Sequence, residues 1–164
     1  PRPPRRDIRS PAPPCPGEFA LTAPVRIAVA GALGRMGQAV AAVVEGRGDA
    51  DLFACFDRPG AQDARLVDRA SALAAAQVVI DFSTPKASVE LAQVCAAQGG
   101  MALVIGSTGF DAEQIAAIDK ATQAIPIVRA GNFSLGVNML LGLVAQAARA
   151  LAALFRSRCQ HQRR

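Results

Sequence analysis

The sequence of 164 residues has no tryptophan, no tyrosine and a single histidine, and the scarcity of histidine limits the metal sites that it can form. Its four cysteines are widely scattered, no C-x-x-C pair occurs, and the one histidine, His161, lies near the end of the sequence. Because a zinc site needs clustered cysteine and histidine ligands, we predict no metal site. Scattered cysteines, two of them in apolar patterns, predict reduced thiols and a cytoplasmic location.

Basic residues exceed acidic residues by five, but this excess lies at the two ends of the sequence. Residues 1–24 carry a net charge of +2 and residues 155–164 carry +4, whereas residues 25–154 carry −1. A nucleic-acid partner needs a basic surface on the folded part, so we expect none. We also expect no membrane partner, because we identify no apolar run of membrane-span length.

The two ends also differ from the middle in composition. Residues 1–24 are rich in proline and arginine and lack periodicity, so we predict a disordered leader upstream of the domain. A transit-type segment is the alternative, which the lack of an amphipathic helix disfavours. Residues 155–164 form a basic tail beyond the predicted domain at 25–154.

From Val25 onward, short apolar runs alternate with segments of helical periodicity. The patterns predict strands at 25–30, 51–56, 77–82, 101–105 and 125–128. Helices are predicted between them, with Thr84 and Asp111 beginning two of these, and over about 136–154 after the last strand. Strands alternating with helices predict an α/β fold with a doubly wound parallel sheet, which is Rossmann-like.

The stretch "VAGALGRMGQAV" joins the first strand to the first helix and contains Gly31, Gly34 and Gly37. Glycines at this junction let backbone N–H groups approach a pyrophosphate, although they also occur there for backbone reasons alone. Asp57 closes the second strand 20 positions beyond Gly37, where an acid binds ribose hydroxyls or is merely a polar strand end. Arg58 follows and is placed to reach a 2′-phosphate. The unit predicts NADH or NADPH as cofactor.

Three further strand ends carry loops rich in polar residues and glycine. These loops are "DFSTP" (81–85), "GSTGF" (106–110) and "AGNFSLGVN" (130–138). Because parallel strands end at the same edge of a sheet, the loops predict the rim of one pocket. Helix capping by Ser83 or Thr84 is a partial alternative explanation.

The motifs "GALGRMG", "VIDFSTP", "VIGSTGF" and "AGNFSLGVN", in this order, resemble the N-terminal half of the bacterial 4-hydroxy-tetrahydrodipicolinate (dihydrodipicolinate) reductase family. The resemblance covers about residues 25–152. It implies reduction of a cyclic dicarboxylate imine derivative by NADH or NADPH in the diaminopimelate route to lysine, with Thr108 also touching substrate. The implied cofactor-binding residues are Gly31, Ala32, Leu33, Gly34, Arg35, Met36, Asp57, Arg58, Gly106, Ser107, Thr108, Ala130, Gly131, Asn132 and Phe133.

The resemblance stops after the last predicted helix. Family members continue into a substrate domain with an H-H-x-x-K-x-D-x-P-S-G-T signature, which the 164 residues do not contain. We therefore assign no catalytic residue and expect a truncated cofactor-binding half. The homo-oligomer that the family forms is not expected to assemble normally. Three hypotheses remain open: a reductase by descent, a non-catalytic dinucleotide-binding module, and an inactive fragment.

Overall fold

The computed structural model describes residues 23–161, with side chains as far as Ala152. The predictions for residues 1–22, and for the side chains of 155–164, lie outside this part. The described strands are β1 (Val25–Ala30), β2 (Ala50–Phe56), β3 (Val78–Asp81), β4 (Ala102–Ile105) and β5 (Ile127–Arg129). The described helices are α1 (Arg35–Glu45), α2 (Arg69–Ala75), α3 (Pro85–Gln98), α4 (Ala112–Ala121) and α5 (Leu135–His161).

The strands form one parallel sheet in the order β2-β1-β3-β4-β5. Since crossovers between parallel strands are right-handed, the change of direction after β2 places helices on both faces. Apolar side chains of α2, α3 and α4 fill the core on one face, including Leu73, Leu91 and Ile118. Ala41 of α1 belongs to a smaller core on the other face. The predicted doubly wound α/β fold is confirmed.

Two helices begin with the capping residues that the sequence predicts. The Thr84 hydroxyl accepts a hydrogen bond from the N–H of Ala87, and Pro85 occupies the first position of α3. At α4, Asp111 and Gln114 form a complete capping box, each side chain accepting from the backbone N–H of the other. These bonds satisfy N–H groups that have no partner within the helix.

The fifth strand begins two residues later than predicted, at Ile127 instead of residue 125. Pro126 has no N–H to donate to the ladder, and its carbonyl accepts from the N–H of Leu103 at 2.9 Å. Ile125 is buried and packs in the core before the strand starts. The apolar run at residues 125–128 therefore includes a residue that is buried but not paired in the sheet.

The face of the sheet that α1 covers is only half covered by the described residues. Val29, Ile80, Val104 and Val128 pair in register across β1, β3, β4 and β5 and therefore point to the same face. Val29 is fully buried beneath α1, Ile80 and Val104 are partly buried, and Val128 is 57% exposed. The exposed end of this row is an apolar surface on the sheet.

Helix α5 extends to His161, seven residues beyond the predicted end at 154. Its segment Leu135–Ala152 is long and apolar enough to span a membrane, and none of it is buried. The expectation that no such stretch exists was wrong. Asn138, Gln146 and Arg149 interrupt the apolar run in sequence, but helical spacing gathers them on one side. Length and composition alone are weak grounds for a membrane helix, since core helices also meet them.

We expect Leu103→Ala to lower the free energy of unfolding by about 2–5 kcal/mol, because Leu103 is fully buried in β4. Urea unfolding followed by circular dichroism measures this change. Val43→Ala is the control, since Val43 is 64% exposed on α1. Equal losses in the two variants would contradict the position of β4 in the core.

Candidate functional site

A cavity of about 570 Å³ lies at the carboxyl ends of β1, β2 and β3. The sheet order places β1 between β2 and β3, so the chain leaves β1 toward one side and reaches β3 on the other. Ligands of doubly wound sheets bind in the crevice at such a reversal. Five predicted residues lie on the wall of this cavity, namely Gly31, Leu33, Gly34, Asp57 and Arg58.

Two of the three predicted glycines, Gly31 and Gly37, allow a close packing of backbone that a side chain would prevent. Gly31 has a φ of +71°, and a Cβ there would lie 2.9 Å from the carbonyl carbon of Phe82. A Cβ on Gly37 would overlap the carbonyl oxygen of Gly31. Their absent side chains let the N-terminus of α1 pack directly on the end of β1. The close backbone packing that requires glycine here is therefore the same packing that would leave room for a phosphate.

Three N–H groups of the glycine loop already have partners within the protein. Those of Ala32 and Gly34 donate to backbone carbonyls at 3.2 and 3.0 Å. The N–H of Leu33 donates to a carboxylate oxygen of Asp57 at 2.9 Å. Ala32 and Leu33 thus shape the loop with these groups and have no free N–H to offer an anion.

The free N–H groups lie one turn later, at the start of α1. The first bond of this helix runs from the N–H of Gln38 to the carbonyl of Gly34 at 2.9 Å, and Gly34 provides no side-chain cap. Within residues 23–161, the N–H groups of Arg35, Met36 and Gly37 therefore have no hydrogen-bond partner. Unpaired N–H groups at the positive end of a helix dipole form a site for an anion such as phosphate.

The carboxylate of Asp57 links the glycine loop to the end of β2. One oxygen accepts from the N–H of Leu33, and the other accepts from the N–H of Arg58 at 2.8 Å. Each carboxylate oxygen has a second lone pair, so both remain able to accept from hydroxyl groups. Asp57 thus connects the glycine loop to β2 at the cavity wall, and its carboxylate can still accept hydrogen bonds from a ligand.

Two of the predicted residues on the other side of the site, Gly106 and Phe133, lie against Phe82, the residue after β3. A Cβ on Gly106 would overlap the Phe82 ring, so the ring can occupy this position only because residue 106 is glycine. The rings of Phe82 and Phe133 are in edge contact, with centroids 6.2 Å apart. Phe82 also lines the cavity, and it therefore connects the loops after β3, β4 and β5.

Other side chains of these loops differ in how accessible they are. Ser107 is 8% exposed, and its hydroxyl is 2.6 Å from that of buried Ser88. Thr108 is exposed beside it. The Asn132 side chain accepts from the N–H of Ser134 at 2.8 Å and thereby fixes the entry to α5. The remaining predicted residues of this side, Ala130 and Gly131, follow β5 directly.

A fully buried carboxylate, that of Asp81, shapes the turn after β3. One of its oxygens accepts from the N–H of Ser83 at 2.9 Å, while the other has no partner in the described part of the chain. Burial, and to a smaller extent the charge of Asp81, raises the pKa of the nearby Cys95 thiol to about 11. Cys95 is therefore a protonated, apolar core residue at neutral pH.

Two charged residues that line the cavity, Arg69 and Glu90, were not found by sequence reasoning, whereas Phe82 lies in the loop 81–85 that the sequence predicts at the rim of a pocket. Arg69 is the first residue of α2 and also lines an adjoining cavity of about 900 Å³ formed by the loop after β2. The positions of Arg69 and Glu90 depend on how α2 and α3 pack, for which the sequence carries no local signal.

Together these features define the class of the protein. A doubly wound sheet with an uncapped helix N-terminus, a close glycine packing and an acid after β2 is a dinucleotide-binding domain. Residues 25–133 match the family model described as dihydrodipicolinate reductase, N-terminus. The chain belongs to the dihydrodipicolinate reductase family and matches its NAD(P)H-binding part, so its cofactor is NADH or NADPH.

Individual relatives agree with this family. A 4-hydroxy-tetrahydrodipicolinate reductase of Caulobacter vibrioides is 62% identical, over 81% of this chain and 52% of the relative. One from Alkalilimnicola ehrlichii is 44% identical, over 77% of this chain and 53% of the relative. The chain thus spans about half the length of these relatives.

A solved structure shares the fold. It is a dipicolinate-bound dihydrodipicolinate reductase from Paenisporosarcina sp. TG-14, which superimposes with a TM-score of 0.64 at 23% identity. The match covers 76% of this chain and 54% of that one. At this identity the match supports the α/β architecture.

We expect Gly34→Asp to abolish NADH binding almost completely while leaving the fold intact. Gly34 has a φ of −73°, which any residue adopts, and aspartate is a favoured helix cap. A Cβ there would lie 3.2 Å from the carbonyl oxygen of Gly31, so the loop has to shift slightly to admit the side chain. Its carboxylate would accept from the free N–H groups of α1 and repel a pyrophosphate. Calorimetric titration measures binding, and urea unfolding checks stability.

Gly48→Asp is the matched control, because a Cβ on Gly48 meets no atom within 4 Å. It adds the same charge away from the cavity and should leave NADH affinity unchanged. Undiminished binding by Gly34→Asp would exclude the start of α1 as the phosphate site.

Proposed function

We propose that this chain is the cofactor-binding half of an NAD(P)H-dependent 4-hydroxy-tetrahydrodipicolinate reductase of the diaminopimelate route to lysine. The observation that carries the proposal is the row of unpaired N–H groups at Arg35, Met36 and Gly37, beside a cavity at the sheet reversal. A pyrophosphate fits this position by charge and by hydrogen bonding. The membership of the family supplies the reaction class.

The adenosine end of the cofactor is assigned to the side of the cavity formed by β2. Asp57 accepts from the ribose hydroxyls with the lone pairs that its backbone bonds leave free. Arg58 is exposed on the same wall, and we assign its guanidinium to a 2′-phosphate. Gly31 and Gly34 keep side chains away from the phosphates between the two ends of the molecule.

The nicotinamide end is assigned to the loops after β4 and β5. When bound, the reduced nicotinamide supplies a hydride to the substrate. Phe82 and Phe133 form an aromatic wall at these loops, and Thr108 is exposed where both cofactor and substrate are expected. The backbone around Gly106, Ser107, Ala130, Gly131 and Asn132 positions this end, while the Ser107 hydroxyl stays with Ser88.

The substrate is a cyclic dicarboxylate. The Paenisporosarcina reductase holds dipicolinate, a planar dicarboxylate, which supports this class of substrate. Residues that grip the two carboxylates and deliver a proton are assigned to the half of the family that this chain does not match. Thr108 is the described residue that we place against substrate.

The exposed apolar surfaces are assigned to contacts with that other half and with further subunits. Val128 ends a bare apolar row on the sheet, and Leu135, Leu141 and Leu143 are among the exposed apolar residues of α5. Contiguous exposed apolar surfaces mark sites of interaction with another apolar surface.

The buried, unpaired thiols of Cys55 and Cys95 favour a reducing, cytoplasmic location.

We expect Arg58→Ala to weaken the binding of NADPH more than that of NADH, by about 1–2 kcal/mol, if one charge-assisted contact is lost. The reason is that only NADPH carries a 2′-phosphate, which Asp57 repels and Arg58 attracts. Parallel titrations with both cofactors measure the difference. Equal weakening for both would place Arg58 away from the phosphate.

We expect the 164-residue polypeptide to bind cofactor and to show negligible reductase turnover. Hydride transfer needs a positioned acceptor, and the absence of general-acid help alone costs about 10²–10⁴-fold. Fusing the remaining half of the Caulobacter relative after Leu151 should restore NADPH oxidation with freshly made substrate. Thr108→Ala in this fusion should lower turnover without weakening cofactor binding equally.

Turnover near that of intact reductases by the unfused polypeptide would overturn this division of labour. Cofactor binding without turnover by a well-folded fusion would favour a non-catalytic dinucleotide-binding module.

A further inference from the structure

Two arginines on different elements line the same cavity. Arg58 follows β2 and Arg69 begins α2, and both line the 570 Å³ cavity and the adjoining 900 Å³ cavity. Neither guanidinium makes an ion pair or hydrogen bond within the part of the chain that the structure describes. By contrast, Arg47 pairs with Asp49, and Arg65 pairs with Asp63.

The charges around the 570 Å³ cavity explain why a second arginine matters. Its acidic lining residues are Asp57 and Glu90, and its basic ones are Arg58 and Arg69. Asp57 lies directly beside Arg58 in sequence, so one guanidinium only offsets the repulsion between that carboxylate and a phosphate. Arg69 approaches from α2, on a different element, and adds a second cation at the same wall.

The chemistry of the guanidinium also favours a phosphate. Its planar set of N–H donors matches phosphate oxygens, and two such groups on separate elements can hold one phosphate from two sides. Both side chains are exposed, so a phosphate reaches them without opening the core. Arg69 occupies the first position of α2, where Asp68 already caps the helix through Ser71. Its guanidinium is thus not needed for capping.

We propose that Arg69 is a specificity-determining residue that binds the 2′-phosphate of NADPH together with Arg58. This inference rests on the proposed binding of a dinucleotide at the glycine loop. It adds a second phosphate ligand from α2, beyond the arginine that follows the acid of β2. The pair shifts the cofactor preference of this chain toward NADPH, despite the carboxylate of Asp57.

The test is calorimetric titration of the full 164-residue chain with NADPH, NADH, 2′,5′-ADP and 5′-AMP. Arg69→Ala should weaken NADPH and 2′,5′-ADP by about tenfold and change NADH and 5′-AMP less than about twofold. The double variant Arg58→Ala/Arg69→Ala should lose the preference for the 2′-phosphate. Arg47→Ala removes an arginine that lies away from the cavity and should change none of the four affinities.

Two results would overturn the proposal while leaving dinucleotide binding in place. An equal loss for NADH and NADPH in Arg69→Ala would assign the guanidinium to stacking on the adenine. Unchanged binding of all four ligands would show that the Arg69 guanidinium does not contact the cofactor. If the unaltered chain binds neither NADH nor NADPH, both the proposed function and this inference fail. Thermal unfolding monitored by circular dichroism confirms that each variant is folded.

Discussion

The site depends on the contact between the start of α1 and the end of β1. Gly37 lies so close to the carbonyl of Gly31 that no side chain fits there, and a Cβ on Gly31 would lie 2.9 Å from the backbone of the turn after β3. This packing brings three neighbouring strand ends and a helix N-terminus around one cavity. The positions of the N–H groups, of Asp57 and of Phe82 all follow from it.

Asp57 shows how one side chain can hold the fold at the wall where cofactor binding is proposed. Its two backbone bonds join the glycine loop to β2, so the carboxylate is held rigidly at the wall where ribose is expected. A freely rotating carboxylate would lose conformational entropy on binding, whereas a held one has already lost it. The same rigidity places a negative charge where a 2′-phosphate would arrive, and in our proposal Arg58 and Arg69 offset this charge.

Periodicity and turn chemistry predicted the five strands and the capping of α3 and α4, because these depend on local sequence. The alternation of strands and helices predicted the doubly wound sheet. The start of β5 was missed because burial of Ile125 resembles strand pairing. The apolar length of α5 was missed because Asn138, Gln146 and Arg149 interrupt the run, although the mean hydropathy over Leu135–Ala152 stays high at 1.4. Arg69 and Glu90 reach the cavity through the packing of α2 and α3, which no short motif encodes.

Helix α1 has glycine where α2, α3 and α4 have a capping side chain. A bound pyrophosphate would therefore complete the first turn of this helix as the missing cap. A protein that binds a ligand only in its native state gains stability as that ligand becomes abundant. The lifetime of this domain against local fraying and proteolysis is thereby coupled to the size of the nicotinamide cofactor pool.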